Sequence, residues 1–332
     1  EMVINKELEN NKDPKIIFER DHEGLYGEGQ YDIPEDNLNV KLTLDNKFQK
    51  IVRDVLAKED YKTFKNAGAV LIDSDSGEVL ALAQKDESAP NVVLGSGSIN
   101  GYEAGSIFKI LTLEAAMEEK GISLSDKLRC DGLVCKKEKI HGIISIKEAF
   151  EVSCNDVFSK LGAQIGTRGL LDFAKEQGVF SLALGLDEKT GITNLSIGQS
   201  MQTSLIQMAG IISTVVNEGE YVEPYILKDF ENQKGEIKKE FKELRKNVIS
   251  KKTAEDLKSV MNSTVLEGTA NITKIEGVEI GAKTGTAEAL GGELHGWFLG
   301  YIKNVYEDRK PGGGNTAGPI FRDIVLELTK NK

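Results

Sequence analysis

Ser106 and Lys109 stand three residues apart in Ser106-Ile107-Phe108-Lys109, and a pair of this kind could perform acyl transfer. If Gly105 turns the chain into a helix, both side chains lie on one face of its first turn, within hydrogen-bonding reach. A free lysine, with a pKa of about 10.4, is a poor base at neutral pH. Burial, a second nearby cation and the positive end of the helix dipole all favour its neutral form. A neutral Lys109 could then take the proton of Ser106 as its Oγ attacks a carbonyl.

Two further motifs follow in order, Ser153-Cys154-Asn155 and Lys283-Thr284-Gly285-Thr286. Ser153 could relay a proton between Lys109 and a leaving nitrogen, while Asn155 donates to a substrate amide. Lys283 and the hydroxyls of Thr284 and Thr286 suit a terminal carboxylate. Gly285 lets another chain approach the backbone closely, so a peptide could add to this segment as a β-strand. The backbone N–H groups of Ser106 and Thr286 would then form the oxyanion hole. Taken singly, the motifs also read as a solvated helix start, a capped helix N-terminus and a common turn. Their fixed order, with the first opening a helix and the last on a strand, favours a serine acyl-transfer site.

These residues need elements to hold them. Strict alternation in Asn39-Val-Lys-Leu-Thr-Leu-Asp45 marks a half-buried strand, and a helix is expected over about 46–58. Residues 67–83 read as a hairpin around Ser74-Asp-Ser-Gly77. A second hairpin is expected far downstream, with 278–290 and 293–302 joined at Gly291-Gly292. The last helix spans about 318–329. Between the hairpins, helix is expected over 106–120, ending at Gly121, and over 145–165, 168–177 and 200–217. The charged segment 228–249 reads as an exposed excursion, and 250–265 as a helix capped by Ser250 or Thr253. Strands at both chain ends around a helical middle predict an α+β fold. Its antiparallel sheet would be formed by both ends and flanked by helices, with an all-helical insert over about 106–265. Residues 1–38 read as a linker or the remnant of an accessory domain, and 39–332 as the main domain.

The bulk numbers narrow the classes. The chain has 332 residues, 39% hydrophobic and 29% charged, with a formal charge of -11, as in an ordinary globular protein. That balance, with no concentrated basic patch, disfavours a nucleic-acid partner. No apolar run approaches the length of a bilayer span, and no secretory signal is visible.

The three motifs together resemble the transpeptidase domain of a class B penicillin-binding protein, a motif set described for penicillin-binding proteins and β-lactamases. The resemblance extends over about residues 39–330. The segments 39–45 with Gln49, and 68–83, resemble that family's opening strand, helix and first hairpin. Gly198-Gln199, Gln207-Met-Ala209, Gly268-Thr-Ala270 and His295-Gly-Trp-Phe-Leu-Gly300 match further family segments in order. The chain departs from the family in having Glu103-Ala104-Gly105 where a proline is usual, a short stretch at 89–101, and Gly312-Gly-Gly soon after Tyr301 where another apolar strand is expected.

The resemblance implies a D,D-transpeptidase on the outer face of the bacterial cytoplasmic membrane, held by an N-terminal transmembrane helix absent from this chain. A D-Ala-D-Ala donor would acylate Ser106, and an amine of a neighbouring peptidoglycan stem peptide would resolve the acyl-enzyme. β-Lactam antibiotics would acylate the same serine. A membrane glycan polymerase and other cell-wall machinery are the implied partners. A D,D-carboxypeptidase, a β-lactamase-type hydrolase or a non-catalytic β-lactam sensor are alternatives on the same scaffold. No assignable carboxylate activates water for a β-lactamase, and Asn155 speaks against a sensor.

The chemistry itself needs no cofactor, but all three cysteines and one histidine cluster as Cys130, Cys135, His141 and Cys154. Such a set could bind a structural Zn2+, with Asp131 as an alternative oxygen ligand and Cys154 bracing the second motif. A Cys130–Cys135 disulfide with Cys154 as a small core residue is the competing reading. The odd cysteine count excludes a complete disulfide framework. His295 is expected to pack locally on the strand facing Lys283, and His22 to be solvated.

Overall fold

Asp45 ends the first alternating run and begins a helix, because its carboxylate accepts the backbone N–H groups of Lys47 and Phe48. Phe48, Val52, Val55 and Leu56 recur on one face of that helix and are buried. The structure is a computed structural model and describes residues 2–58, 61–62, 67–85, 101–135, 139–180, 191–288, 294–303 and 318–330. The expected turn at Gly291-Gly292, the short stretch 89–100 and the segment around Gly312 lie outside the described residues.

The chain divides into two units. The first comprises Glu1–Thr43 and Tyr225–Lys242. It holds a helix, Met2–Leu8, an antiparallel pair Lys15–Ile17 with Gln30–Asp32, and a three-stranded antiparallel sheet. In that sheet Leu227–Asn232 lies between Ile237–Glu240 and Leu38–Leu42. Much of the charged excursion is therefore paired strand, with Phe230 fully buried beneath it.

The second unit comprises Leu44–Pro224 and Glu243–Lys332. It begins with α1 (Asn46–Leu56) and the hairpin β1–β2 (Gly68–Ile72 and Val79–Gln84). Strand β3 (Tyr102–Glu103) leads into a 3-10 turn, Gly105–Phe108, that feeds α2 (Lys109–Lys120). The pair β4–β5 (Lys127–Cys130 and Gly142–Ser145) precedes α3 (Ile146–Glu151), α4 (Asn155–Ile165) and α5 (Thr167–Glu176). Strand β6 (Gln202–Thr203) pairs with β3, and α6 (Leu205–Val216) and α7 (Lys251–Leu266) follow. The hairpin β7–β8 (Glu279–Glu288 and Leu294–Lys303) and α8 (Gly318–Lys330) complete the unit.

Local chemistry accounts for the helix ends. Gly121 closes α2 in the left-handed conformation, and its N–H and that of Ile122 bond the carbonyls of Met117 and Ala116. Capping boxes open α3 at Ser145 and Glu148, and α6 at Ser204 and Gln207. Ser250, rather than Thr253, caps α7. The one continuous helix expected over 145–165 is two, broken at the second motif where Ser153 takes a φ of 57°. Short antiparallel pairs also lie within the helix-rich stretch 106–265, at β4–β5 and at Glu220–Val222 with Arg245–Asn247.

Strand β8 is apolar on both faces because each faces a core. Trp297, Leu299 and Tyr301 join the cluster that buries α2, α3, α4, α6 and α7. Phe298 and Ile302 join a second cluster, in which hairpins from opposite ends of the chain, β1–β2 and β7–β8, pack with α1 and α8. The fold is thus α+β, with the first cluster behind the site residues.

Candidate active site

Lys109 opens α2 entirely buried, and its Nζ donates to Ser153 O at 2.8 Å, Ser153 Oγ at 3.1 Å and Asn155 Oδ1 at 2.6 Å. The break between α3 and α4 makes this convergence possible. With Ser153 in the left-handed region, its carbonyl and hydroxyl both turn toward α2, and Asn155 starts the next helix beside them. On the other side Lys283, also fully buried, reaches Ser153 Oγ at 3.0 Å and Thr284 O at 3.0 Å. One hydroxyl therefore bridges two amines. Each amine also lies near an aromatic ring, Lys109 Nζ 5.4 Å from the centroid of Phe158 and Lys283 Nζ 5.5 Å from that of Phe150.

Burial dominates the electrostatics. It lowers the Lys109 pKa to about 7, against a smaller upward pull from the Cys154 and Cys135 thiols. Burial, then the charge of Lys109, lowers Lys283 well below the ordinary amine range. A neutral amine in this pair can accept the Ser153 proton, and a charged one can donate to its oxygen. The arrangement can move a proton between two nitrogens through one hydroxyl.

Ser106 sits on the 3-10 turn and is part-exposed. Its hydroxyl has no hydrogen-bond partner among the described residues. The turn is pressed against β7. A Cβ at Gly105, whose φ is +55°, would lie 2.6 Å from Thr286 O, and one at Gly285 would lie 3.1 Å from Ile107 N. Gly198 approaches from behind, and Gly105 N donates to Gly198 O at 2.8 Å. A Cβ at Gly198 would lie 2.0 Å from Gly105 O. Backbone contact on this scale requires glycine and sets the Ser106 turn beside the Thr286 backbone. Thr286 is exposed, and Thr284 Oγ1 donates to Thr269 Oγ1 at 2.8 Å.

The structure thus joins Lys109, Ser153, Asn155 and Lys283 in one hydrogen-bonded set and lays the Ser106 turn against Gly285 and Thr286. Sequence reasoning assigned Thr269 no place in the site. The signal was there in Gly268-Thr-Ala270, but nothing local ties that segment to β7.

Cys130, Cys135, His141 and Cys154 also converge, with one ligand atom of each lying within 4.8 Å of all the others. Cys135 and Cys154 sulfurs are 3.7 Å apart, and no disulfide joins the three thiols. Buried Asp156, in the first turn of α4, accepts the N–H groups of Asp131 and Val134 and so holds the loop that carries Cys135 over Cys154. Asp131 itself turns outward to Arg129 and Lys160 rather than into the cluster. His141 Nδ1 is buried without a hydrogen-bond partner. Burial pushes the Cys154 thiol up to about 12. For Cys130 burial is outweighed by the N–H groups of His141 and Gly132 and by the neighbouring thiols, which lower it.

Residues 67–326 match the family described as the penicillin binding protein transpeptidase domain. Stage V sporulation protein D of Bacillus subtilis is 33% identical over 353 residues, covering 90% of this chain and 54% of that protein. The peptidoglycan D,D-transpeptidase FtsI of Buchnera aphidicola is 25% identical, covering 89% of this chain and 59% of that one. Penicillin binding protein 3 of Mycobacterium tuberculosis, solved in complex with ampicillin, superposes with a TM-score of 0.76 at 22% identity, over 89% of this chain and 78% of that one. That likeness carries the fold alone. The chain spans little more than half the length of these two curated relatives.

Proposed function

The chain belongs to the penicillin-binding protein transpeptidase family, and from that premise we propose that it is a peptidoglycan D,D-transpeptidase acting through a Ser106 acyl-enzyme. The observation that carries this reading is the Ser153 hydroxyl held between the Lys109 and Lys283 amines, beside a serine turn braced on a strand.

In this mechanism Lys109, whose pKa burial lowers to about 7, accepts the Ser106 proton as Oγ bonds to the penultimate D-Ala carbonyl. The oxyanion is held by the N–H groups of Ser106 and Thr286. The proton then passes from Lys109 through Ser153 to the departing D-Ala nitrogen as the peptide C–N bond breaks. An acceptor amine then enters where that nitrogen left and attacks the acyl carbon; its proton returns through Ser153 and Lys109 to Ser106 Oγ as the Ser106 ester bond breaks and the cross-link forms. Thr284, Gly285 and Thr286 bind the donor. Its carboxylate takes the two threonine hydroxyls, with the Lys283 amine alongside, and Asn155 steers the donor amide. The same serine would take β-lactams. The relatives' names support peptidoglycan stem peptides as substrate. A place on the outer face of the cytoplasmic membrane beside a glycan polymerase follows from the family reading. No described helix is long and apolar enough to cross a membrane.

Labelling with a fluorescent penicillin tests the assignment. The wild-type protein should carry one covalent adduct on Ser106, and Ser106→Ala should carry none while its circular dichroism is unchanged. Equal labelling of that variant would refute the role given to Ser106.

The Cys130, Cys135, His141 and Cys154 cluster fits a structural Zn2+. Tetrahedral sulfurs ~2.3 Å from zinc lie roughly 3.8 Å from one another, close to the 3.7 Å between Cys135 and Cys154. The unpartnered His141 Nδ1 is the buried atom such a site would use. Bound there, zinc would brace the Ser153–Asn155 turn from behind. Elemental analysis of protein purified without added metal should give about one zinc per chain, and a value well below that rejects the site.

A further inference from the structure

Three of the four clustered ligands come from one hairpin and the fourth from elsewhere. Cys130 ends β4 and pairs with Gly142, the first residue of β5, so His141 stands beside Cys130. Cys135 lies on the loop between those strands, and Cys154 comes from the break between α3 and α4. The β4–β5 ladder sets Cys130 against His141. Nothing in that ladder brings Cys135 to Cys154.

Asp156 supplies the link. It follows Cys154 by two residues and Asn155 by one, and is 1% exposed. Each of its carboxylate oxygens accepts one N–H of the loop, Oδ2 from Asp131 at 2.5 Å and Oδ1 from Val134 at 3.2 Å. Between those donors the chain turns at Gly132, whose φ is +77° and whose Cβ would lie 2.7 Å from Ile140 Cγ1. Lys160, one helical turn further along α4, closes the outer side. Its Nζ lies 3.5 Å from Asp156 Oδ2 and donates to Arg129 O and Asp131 Oδ2, each at 2.6 Å. A buried carboxylate is tolerated only when its oxygens are satisfied, so this one wraps the main chain around itself with or without a metal. Val134 directly precedes Cys135, whose sulfur is thereby held over Cys154.

The ligands also differ in exposure. Cys130 and Cys154 are buried, whereas Cys135 and His141 are part-exposed. A metal leaves toward solvent, past Cys135 and the loop that Asp156 holds.

We propose that Asp156 is the positioning residue of the metal site: it pre-forms the loop that carries Cys135 and so governs how long zinc stays bound against Cys154. This role rests on the zinc reading and adds what that reading lacks, the group that makes the ligands converge before the metal arrives.

The test follows zinc itself. Protein from zinc-supplemented medium is counted by elemental analysis, then challenged with 4-(2-pyridylazo)resorcinol while absorbance reports the release rate. Asp156→Asn keeps the volume but offers an NH2 to one of the two N–H groups, and should release zinc at least about tenfold faster, the scale on which groups behind metal ligands act. Asp131→Asn should release it at the wild-type rate, because the Asp131 N–H is main chain and its carboxylate faces outward. A second measurement needs no variant. Hydrogen exchange of the wild-type protein, read by mass spectrometry over residues 131–134, should stay slow after a chelator has stripped the zinc. Equal release from the wild type and Asp156→Asn, release from Asp131→Asn as fast as from Asp156→Asn, or exchange rising to that of an open loop on zinc removal would each overturn the role of Asp156 and leave the zinc reading standing. Well below one zinc per wild-type chain would overturn both.

Discussion

Two buried amines that share one hydroxyl cannot both hold a proton cheaply, since desolvation penalises each charge and the charges repel. Burial brings Lys109 to about 7, so its neutral form is lost as pH falls through that value. Penicillin acylation should therefore rise from pH 6 to a plateau above pH 8, with a midpoint near 7, read by stopped-flow quenching of intrinsic fluorescence. Lys109→Ala should slow acylation by about 10²–10⁴-fold, the usual scale for losing a general base, with the acid limb gone. Normal acylation by that variant at neutral pH would remove Lys109 as the base. At this scale the motifs were legible because chemistry restricts which residue types serve. The left-handed Ser153 and the Thr269 hydroxyl were not. A φ value is a tertiary outcome, and Thr269 reaches Thr284 only once α7 and β7 are folded.

The elements position that chemistry through backbone contacts. Gly105 combines a φ of +55° with the Thr286 carbonyl 2.6 Å from where a Cβ would stand. Gly105→Ala should cost more than about 1–2 kcal/mol from backbone conformation alone, and a shifted turn would misplace the N–H groups proposed as oxyanion donors. Acylation should fall at least tenfold, with a lower midpoint in urea; unchanged values for both would show that the turn has slack. Hairpins and helices were legible in the sequence, since alternation, caps and glycine stops are local signals. The pairing of Leu38–Leu42 with Leu227–Asn232 was not, because partners so far apart share no local pattern and the later strand is rich in charge. The helix break at the second motif was hidden for a related reason. Val152, Ser153 and Cys154 carry no proline or glycine to announce it.

Across the second unit, the cluster behind the site contains an acid with no evident catalytic task. Glu114 of α2 is fully buried, and its pKa is raised to about 8 by burial, against the hydrogen bond from Gln177 and with Glu118 adding to the rise. Gln177 donates to Glu114 Oε2 at 2.6 Å and accepts from Thr214 Oγ1 at 2.7 Å, tying α2 to α6 through the end of α5. The folded chain holds this proton more tightly than the unfolded chain, whose glutamates release theirs near pH ~4.3. Stability should fall as pH rises between that value and about 8, by on the order of a few kcal/mol at full extent. Glu114→Gln should flatten this slope and raise the melting temperature at pH 8, measured by calorimetry from pH 5 to 9. A slope identical to the wild type would mean that Glu114 is already ionised in the fold. The α+β class was legible at this scale from strands at both ends, whereas the buried acid was not, because Glu114 sits in a stretch of helix whose spacing reads as ordinary amphipathic surface.

The three glycines at 105, 198 and 285 have a consequence for how such a site can change over time. Where main chain lies on main chain, no side-chain exchange can enlarge or reshape the space without dislodging the Ser106 hydroxyl itself. Adaptation against an inhibitor that occupies it is therefore confined to the rim, at positions such as Thr269, where a methyl more or less alters what fits without moving the Ser106 turn.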